Sequence, residues 1–262
     1  MGRQAIDSAY SDPEGLIERG VLTAQALEFL EACLQARLNI AISGPVGSGK
    51  RALLHSLIPY IGLDGQILII QNPEEPSLDH SGITSLRARP PGADGGPGIS
   101  RSYLLTLVPK MHPAGLILDR VEGAEVVPLL QLLLSMDGIV LSVAADSPSD
   151  ALLRLEGLAL AHGAETRPGL IRRILSTGVQ LILQLGTPCA GSSTATRVTE
   201  ILQTEEDTYL LRDIFVCPEP EASSGQTLLG QAPLQPTGAR PAFLRRMESL
   251  GITLRDHVFE HE

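Results

Sequence analysis

The sequence predicts an α/β protein with a mainly parallel, twisted sheet and helices on both faces. Three observations carry this. Short apolar runs at 39–43, 66–71, 115–119, 138–144 and 179–185 alternate with longer stretches whose leucines recur at helical spacing. Alternation of that kind places helices as crossovers between parallel strands. A Gly-rich segment follows the first of these runs directly, as at a strand-to-helix junction. The 43% hydrophobic content over 262 residues supplies a substantial core. Aromatics make up only 3% and Trp is absent, so Leu, Ile, Val and Ala must fill that core.

Residues 1–20 are polar with Pro13 and Gly15, and read as a flexible lead-in with no signal peptide. Thr23 is placed to cap a helix over 23–37, with Leu27, Leu30 and Leu34 on one face and Glu28 and Glu31 on the other. The first strand, 39–43, leads into the Gly-rich turn and a helix, and 66–71 is the second strand. Residues 72–98 are rich in Pro and Gly and are expected to form a long surface loop or irregular hairpin. A helix over 100–110, a strand at 115–119, a helix over 125–135 and a strand at 138–144 follow. Ser147-Pro148 is an N-cap followed by Pro at the first helical position. Residues 168–177 read as a helix, 179–185 as a strand and 187–196 as a turn-rich connection. Residues 197–203 and 209–216 read as paired strands around the acidic turn 204–207. Residues 218–236 are Pro/Gly/Ser-rich, and 240–250 is a closing helix. The expected organisation is a lead-in to residue 20, one domain over 21–216, and a segment 217–262 packed on that same domain.

Composition narrows the function. The net charge is −10 and no basic arm is present, which argues against general nucleic-acid binding. Cys33, Cys189 and Cys217 lie far apart without metal-ligand spacing, and read as small buried hydrophobes of a reducing cytosol. The apolar runs at 127–134 and 179–185 are too short to span a bilayer.

The chemistry concentrates at 39–51, Asn-Ile-Ala-Ile-Ser-Gly-Pro-Val-Gly-Ser-Gly-Lys-Arg. Gly44, Gly49 and Lys50 satisfy the G-x-x-x-x-G-K spacing of a phosphate loop. Phosphate oxygens need several converging N–H donors, which a Gly-rich turn and the helix after it provide. Lys50 adds a point charge for the outer phosphates. Gly44, Gly47, Ser48, Gly49, Lys50 and Arg51 are therefore the candidate nucleotide-binding residues, with ATP or ADP as ligand. The residue after the lysine is usually Ser or Thr, whose hydroxyl holds Mg²⁺. Here it is Arg51, which puts Mg²⁺ in doubt. Asp119, at the end of the third run, is the nearest candidate for a carboxylate on the metal side.

Several ordered motifs surround this loop. They are Arg89-Pro-Pro, Pro113 before the third strand, Gly123-Ala-Glu125, the run 147–156 Ser-Pro-Ser-Asp-Ala-Leu-Leu-Arg-Leu-Glu, Leu211-Arg-Asp-Ile-Phe215 and Pro236-Thr-Gly-Ala-Arg-Pro241. Together with the order of helix, strand and phosphate loop they resemble the type II/IV secretion ATPases, most closely the Tad-pilus motor branch, from about residue 16 onward. The resemblance implies a RecA-like core, a hexameric ring at the cytoplasmic side of the inner membrane, and pilus or secretion platform proteins as partners. It leaves the family's N-terminal domain without a counterpart.

The departures from the family pattern fall where chemistry is expected. Arg51 replaces the loop's Thr. Gln71-Asn72 replaces an acidic pair, and amides neither act as a base nor bring charge to a metal. Arg120 stands at the position of the catalytic Glu, and Ala144 at that of a His. The expectation is a pseudo-ATPase acting with itself or with an intact motor ATPase. The alternative is an active enzyme in which Asp119 or Glu122 serves as the catalytic carboxylate. Several residues keep two readings. Arg51 is either a phosphate ligand or a partner of Glu74, Glu75 or solvent. Arg120 is read as an ion-pair partner of Asp119 or Glu122, and Asp119 also reads as a helix cap. Arg87, Arg89 and Arg101 are read as lining the site or an interface. His55, His80, His112 and His162 are read as surface or capping residues.

Overall fold

Alternation along each strand decides which face of the sheet a residue serves. The structure, a computed structural model, describes residues 13–61, 65–74, 82–92, 97–163, 167–186, 194–205, 208–218 and 233–260. Among them the strands are β1 (Ile40–Gly44), β2 (Ile67–Gln71), β3 (Ile83–Arg87), β4 (Gly115–Leu118), β5 (Ile139–Ala144), β6 (Leu181–Gly186), β7 (Thr194–Glu205), β8 (Thr208–Val216) and β9 (Gln235–Pro236). They form one sheet in the order β3-β2-β4-β5-β1-β6-β7-β8-β9. Every pairing from β3 across to β6 is parallel, and β7 to β9 extend the sheet antiparallel. The helices are α1 (Glu14–Glu18), α2 (Ala24–Gln35), α3 (Lys50–Leu57), α4 (Arg101–Met111), α5 (Val126–Leu133), α6 (Pro148–Ala161), α7 (Pro168–Gly178) and α8 (Leu244–Ser249). Short 3₁₀ turns lie at Ile58–Tyr60 and Asp256–Phe259.

Two apolar cores sandwich the sheet. Ile40, Ile42, Ile67, Ile69, Ile117, Val140, Leu181 and Leu183 face one side, where α2, α3 and the C-terminal segment pack. Ala41, Leu68, Ile70, Leu116, Leu118, Ile139, Leu141 and Ile182 face the other, beneath α4 to α7. A parallel strand buried on both faces reads as a continuous apolar run because both sets are needed. Asn39 fastens the opposite edge from the phosphate loop. Its side chain donates to the Gly178 and Met136 carbonyls and accepts from the Ile139 N–H, joining the starts of β1, β5 and β6. Caps sit where short hydroxyls were noted: Thr23 accepts from the Ala26 N–H and Ser147 from the Asp150 N–H.

Four expectations are corrected. Residues 72–98 contain β3, which runs parallel to β2 in the register Ile67↔Ile83 to Gln71↔Arg87. It is a half-buried edge strand with polar positions, so backbone pairing sets it and no apolar run marks it. Within 1–20, residues 13–20 are structured: α1 places Leu16 fully inside the first core, whereas 1–12 lie outside the described residues. The connection assigned to 187–196 gives way to β7 at Thr194, with 187–193, including Cys189, outside the described residues. The closing helix covers only Leu244–Ser249, because Pro241 sits in the turn before it. Residues 206–207 of the acidic turn and 219–232 also lie outside the described residues. No described helix is long and apolar enough to cross a membrane.

Candidate functional site

The site lies where β1, β4 and β5 end, beside the point at which the strand order turns around β1, the usual ligand crevice of an open α/β sheet. Gly44 ends β1 in a tight seat. A Cβ there would stand 2.5 Å from Ser48 Oγ and 2.8 Å from the Leu185 carbonyl oxygen. The loop closes on Gly49, whose φ of 77° and ψ of 12° are left-handed and suit glycine. No side chain caps α3, so the first N–H groups of that helix have no capping oxygen. Ser48 is buried inside the loop.

Lys50 opens α3 and folds back over its own loop. Its Nζ donates to the carbonyls of Gly44 and Pro45, each at 2.8 Å, with Ser48 Oγ at 3.5 Å. Burial pushes its pKa below the ordinary lysine value, Asp119 draws it back up and Arg120 presses it down. A cavity of about 320 Å³ opens beside it. Gly47, Gly49, Lys50 and Arg51 line it from the loop, Asp119, Arg120 and Glu122 from the turn after β4, and Ser142, Ala144 and Arg154 from β5 and α6. Four cationic side chains and two carboxylates thus share one small volume.

The carboxylate of Asp119 is 5% exposed as a residue and already engaged. Ser142 Oγ donates to Oδ1 at 2.7 Å, and Arg51 Nε faces Oδ2 at 3.8 Å. Ser142 Oγ also accepts from the Arg120 N–H at 2.7 Å. Ser142 on β5 therefore fixes the turn after β4, where Arg120 adopts a left-handed φ of 56°. Arg51 turns to Asp119 rather than to Glu74; Glu75 lies outside the described residues. Arg120 is exposed and makes no ion pair with Asp119 or Glu122 among the described residues, so its expected pairing is corrected: the Asp119 carboxylate is taken by Ser142 and faced by Arg51. Asp119 caps no helix. Glu122 is exposed on the same turn.

Arg101 has a structural place. It is 7% exposed, and its guanidinium donates to the Asp119 carbonyl at 2.6 Å, the Arg120 carbonyl at 2.8 Å and Glu125 Oε1 at 3.2 Å. Glu125 Oε1 also accepts from the Glu122 and Gly123 N–H groups at 2.9 and 3.2 Å. This buried pair staples the turn that carries Asp119, Arg120 and Glu122. Gln71 does not reach the cavity: it is buried at the end of β2 and accepts from Ser85 Oγ at 2.9 Å. Asn72 lines a separate groove of about 760 Å³ with Arg89, Arg101 and Tyr103. Ala144 stands opposite Gly44 in the β1–β5 register and lines the phosphate-loop cavity. Ser142, Glu125 and Arg154 were not singled out individually from sequence. Glu125 and Arg154 lie inside motifs quoted above, and that position was their one available signal. His112 and His162 sit exposed at helix C-termini, His55 is half-buried on α3, and His80 lies outside the described residues.

Known proteins share parts of this sequence and fold. Residues 8–220 match the family described as type II/IV secretion system protein. A putative conjugal transfer protein of Mycobacterium tuberculosis is 25% identical over 206 residues, 78% of this chain and 58% of that protein. The VirB11 protein of Agrobacterium tumefaciens is 25% identical over 158 residues, 59% of this chain and 46% of that protein. The chain thus spans about half the length of the curated relatives it matches. The crystal structure of the VirB11 ATPase from the Brucella suis type IV secretion system, in complex with sulphate, superposes with a TM-score of 0.58 at 23% identity, covering 74% of this chain and 56% of that one. The Legionella pneumophila ATPase DotB superposes at 0.50 and 14% identity, covering 68% and 49%. These structural likenesses are likenesses of fold, the RecA-like core of secretion ATPases. With the family match covering most of the residues and the phosphate loop at the expected strand end, the chain belongs to the type II/IV secretion system protein family.

Proposed function

We propose that this protein is a motor-like subunit of a Tad-type pilus or secretion system that binds ATP or ADP at its phosphate loop and hydrolyses it at no more than a background rate. It acts as a structural or regulatory partner within the motor ring, with copies of itself or with an intact motor ATPase. That ring is hexameric and cytoplasmic by analogy, docked against inner-membrane pilus or secretion platform proteins. The observation that carries this reading is the state of Asp119. The one buried carboxylate lining the loop cavity is held by Ser142 and faced by Arg51. Hydrolysis needs a carboxylate to orient water or metal, and Ala144 and Arg120 add neither. Binding has better support. Open N–H groups, the Gly44 and Gly49 turns and Lys50 form a cradle for an oxyanion. On binding, Lys50 leaves the carbonyls of Gly44 and Pro45 and turns to the outer phosphates.

The test measures phosphate release by the purified protein, alone and mixed with an intact motor ATPase of the same system, with Lys50→Ala as control. Expected are background turnover alone, a changed rate in the mixture, and loss of nucleotide binding in Lys50→Ala by about tenfold or more. Metal-dependent release by the protein alone that disappears in Lys50→Ala would overturn the reading and restore Asp119 or Glu122 as catalytic.

A further inference from the structure

The family's phosphate loop implies Mg²⁺, and the residues present here do not fit it. Mg²⁺ demands near-octahedral oxygen ligands, commonly a loop hydroxyl and a carboxylate beside the phosphates. The residue after the loop lysine is Arg51, which offers no oxygen. Asp119 Oδ1 accepts from Ser142 Oγ at 2.7 Å and Oδ2 faces the Arg51 guanidinium at 3.8 Å. Glu122, the other carboxylate of the cavity, is exposed at the rim. A divalent cation entering beside Asp119 would displace or face a fixed positive charge.

Resting on the nucleotide-binding reading above, we propose that this site takes its nucleotide as the metal-free polyphosphate anion, with Arg51 standing where the metal's charge would stand. Arg51 follows Lys50 in the first turn of α3, at the positive end of the helix. Its side chain is 22% exposed, with Asp119 at 6%, so the pair sits at the cavity wall rather than in open solvent. A guanidinium carries donors in a planar fork and binds phosphate oxygens bidentately. Asp119 Oδ2 faces the Nε of that guanidinium at 3.8 Å, which keeps the positive charge beside the loop. Lys50, Arg120 and Arg154 line the same cavity. The wall therefore suits the high negative charge of a free nucleoside di- or triphosphate better than that of its Mg²⁺ complex.

The experiment titrates a fluorescent ADP or ATP analogue onto the full chain in excess EDTA and in excess Mg²⁺. Expected is an affinity in EDTA equal to or tighter than that in Mg²⁺. Arg51→Thr supplies the family's hydroxyl and removes the cation that faces Asp119 Oδ2. It is expected to lose about tenfold or more of the EDTA affinity and to bind more tightly with Mg²⁺ than without. Arg51→Lys keeps the charge and is expected to keep most of the EDTA affinity. Wild-type binding only in Mg²⁺ overturns this inference and leaves the nucleotide reading standing. So does a folded Arg51→Thr with unchanged affinity in EDTA. Binding in neither buffer overturns both.

Discussion

At the scale of single residues, Lys50 joins geometry to a measurable titration. Its ammonium is held by the Gly44 and Pro45 carbonyls, and burial lowers its pKa from the ordinary value of 10.5. A bound phosphate stabilises the charged form and so raises the pKa of Lys50 in the complex above that of the free protein. Binding then takes up a proton wherever the free protein has begun to lose it. The sign follows: affinity is flat while Lys50 is charged in both states, and falls as pH rises through the free-protein pKa. The fall is expected to begin below pH 10.5. Lys50→Arg, which stays protonated, should flatten that part of the profile in a pH series of nucleotide titrations. Lys50, Gly44 and Gly49 were legible in the sequence because a phosphate loop is a local spacing. The Arg51–Asp119 contact and the two hydrogen bonds of Ser142 were not. They join separate strands and helices, and spacing along one segment carries no information about them. Gln71 shows the converse. Its position at the end of β2 suggested a place near the chemistry, yet its side chain accepts from Ser85 on the edge strand.

At the scale of elements, the turn from 119 to 125 decides what the cavity presents, and the Arg101–Glu125 pair decides the turn. Arg101 comes from the start of α4 and Glu125 from the residue before α5, so the pair also locks two helices to the end of β4. Removing one partner leaves the other charged and buried, which costs about 3–5 kcal/mol for such pairs. Arg101→Ala is therefore expected to lower stability by about that amount in urea unfolding. Glu125→Gln should cost less, because its amide oxygen can still accept from Glu122 and Gly123. The double variant should cost less than the sum, and strict additivity would show that the two side chains are not coupled. The sequence offered Arg101 as lining the site or an interface, because the family resemblance implies arginines of this region near the phosphates. Its burial against two backbone carbonyls could be seen only once α4 was laid against β4. The central strands were legible for the opposite reason. Burial on both faces writes itself as an unbroken apolar run, which a half-exposed edge strand such as β3 cannot show.

At the scale of the molecule, the question is whether the C-terminal segment belongs to the same folding unit as the phosphate-loop core, as proposed from the sequence. All four phenylalanines of the chain bear on it. Phe29 of α2 lies 5.4 Å from Phe215 of β8, 6.3 Å from Phe243 and 6.0 Å edge-on from Phe259, measured between ring centroids. Aromatics are scarce, and this cluster of rings is assembled from both ends of the chain. Gln25 adds hydrogen bonds from α2 to the His257 and Glu260 carbonyls. Val258 and Phe259 are buried in the same core as Leu16, Leu30 and the β1 isoleucines. The segment thus fills a wall of the first core, and that core also seats α3 under the phosphate loop through Leu53, Leu54 and Leu57. Phe259→Ala removes a buried ring and is expected to cost about 3–5 kcal/mol. If the core is one unit, that cost appears as a lowered midpoint of a single thermal transition, followed by circular dichroism and calorimetry, and nucleotide affinity survives below the new midpoint. A second, earlier transition with the main one unmoved would make the segment a separate module. The contacts of Phe29 to three partners, one of them in β8 at the heart of the sheet's antiparallel extension, favour the single transition, because the ring cannot lose Phe259 without loosening its packing on Phe215 and Phe243 as well.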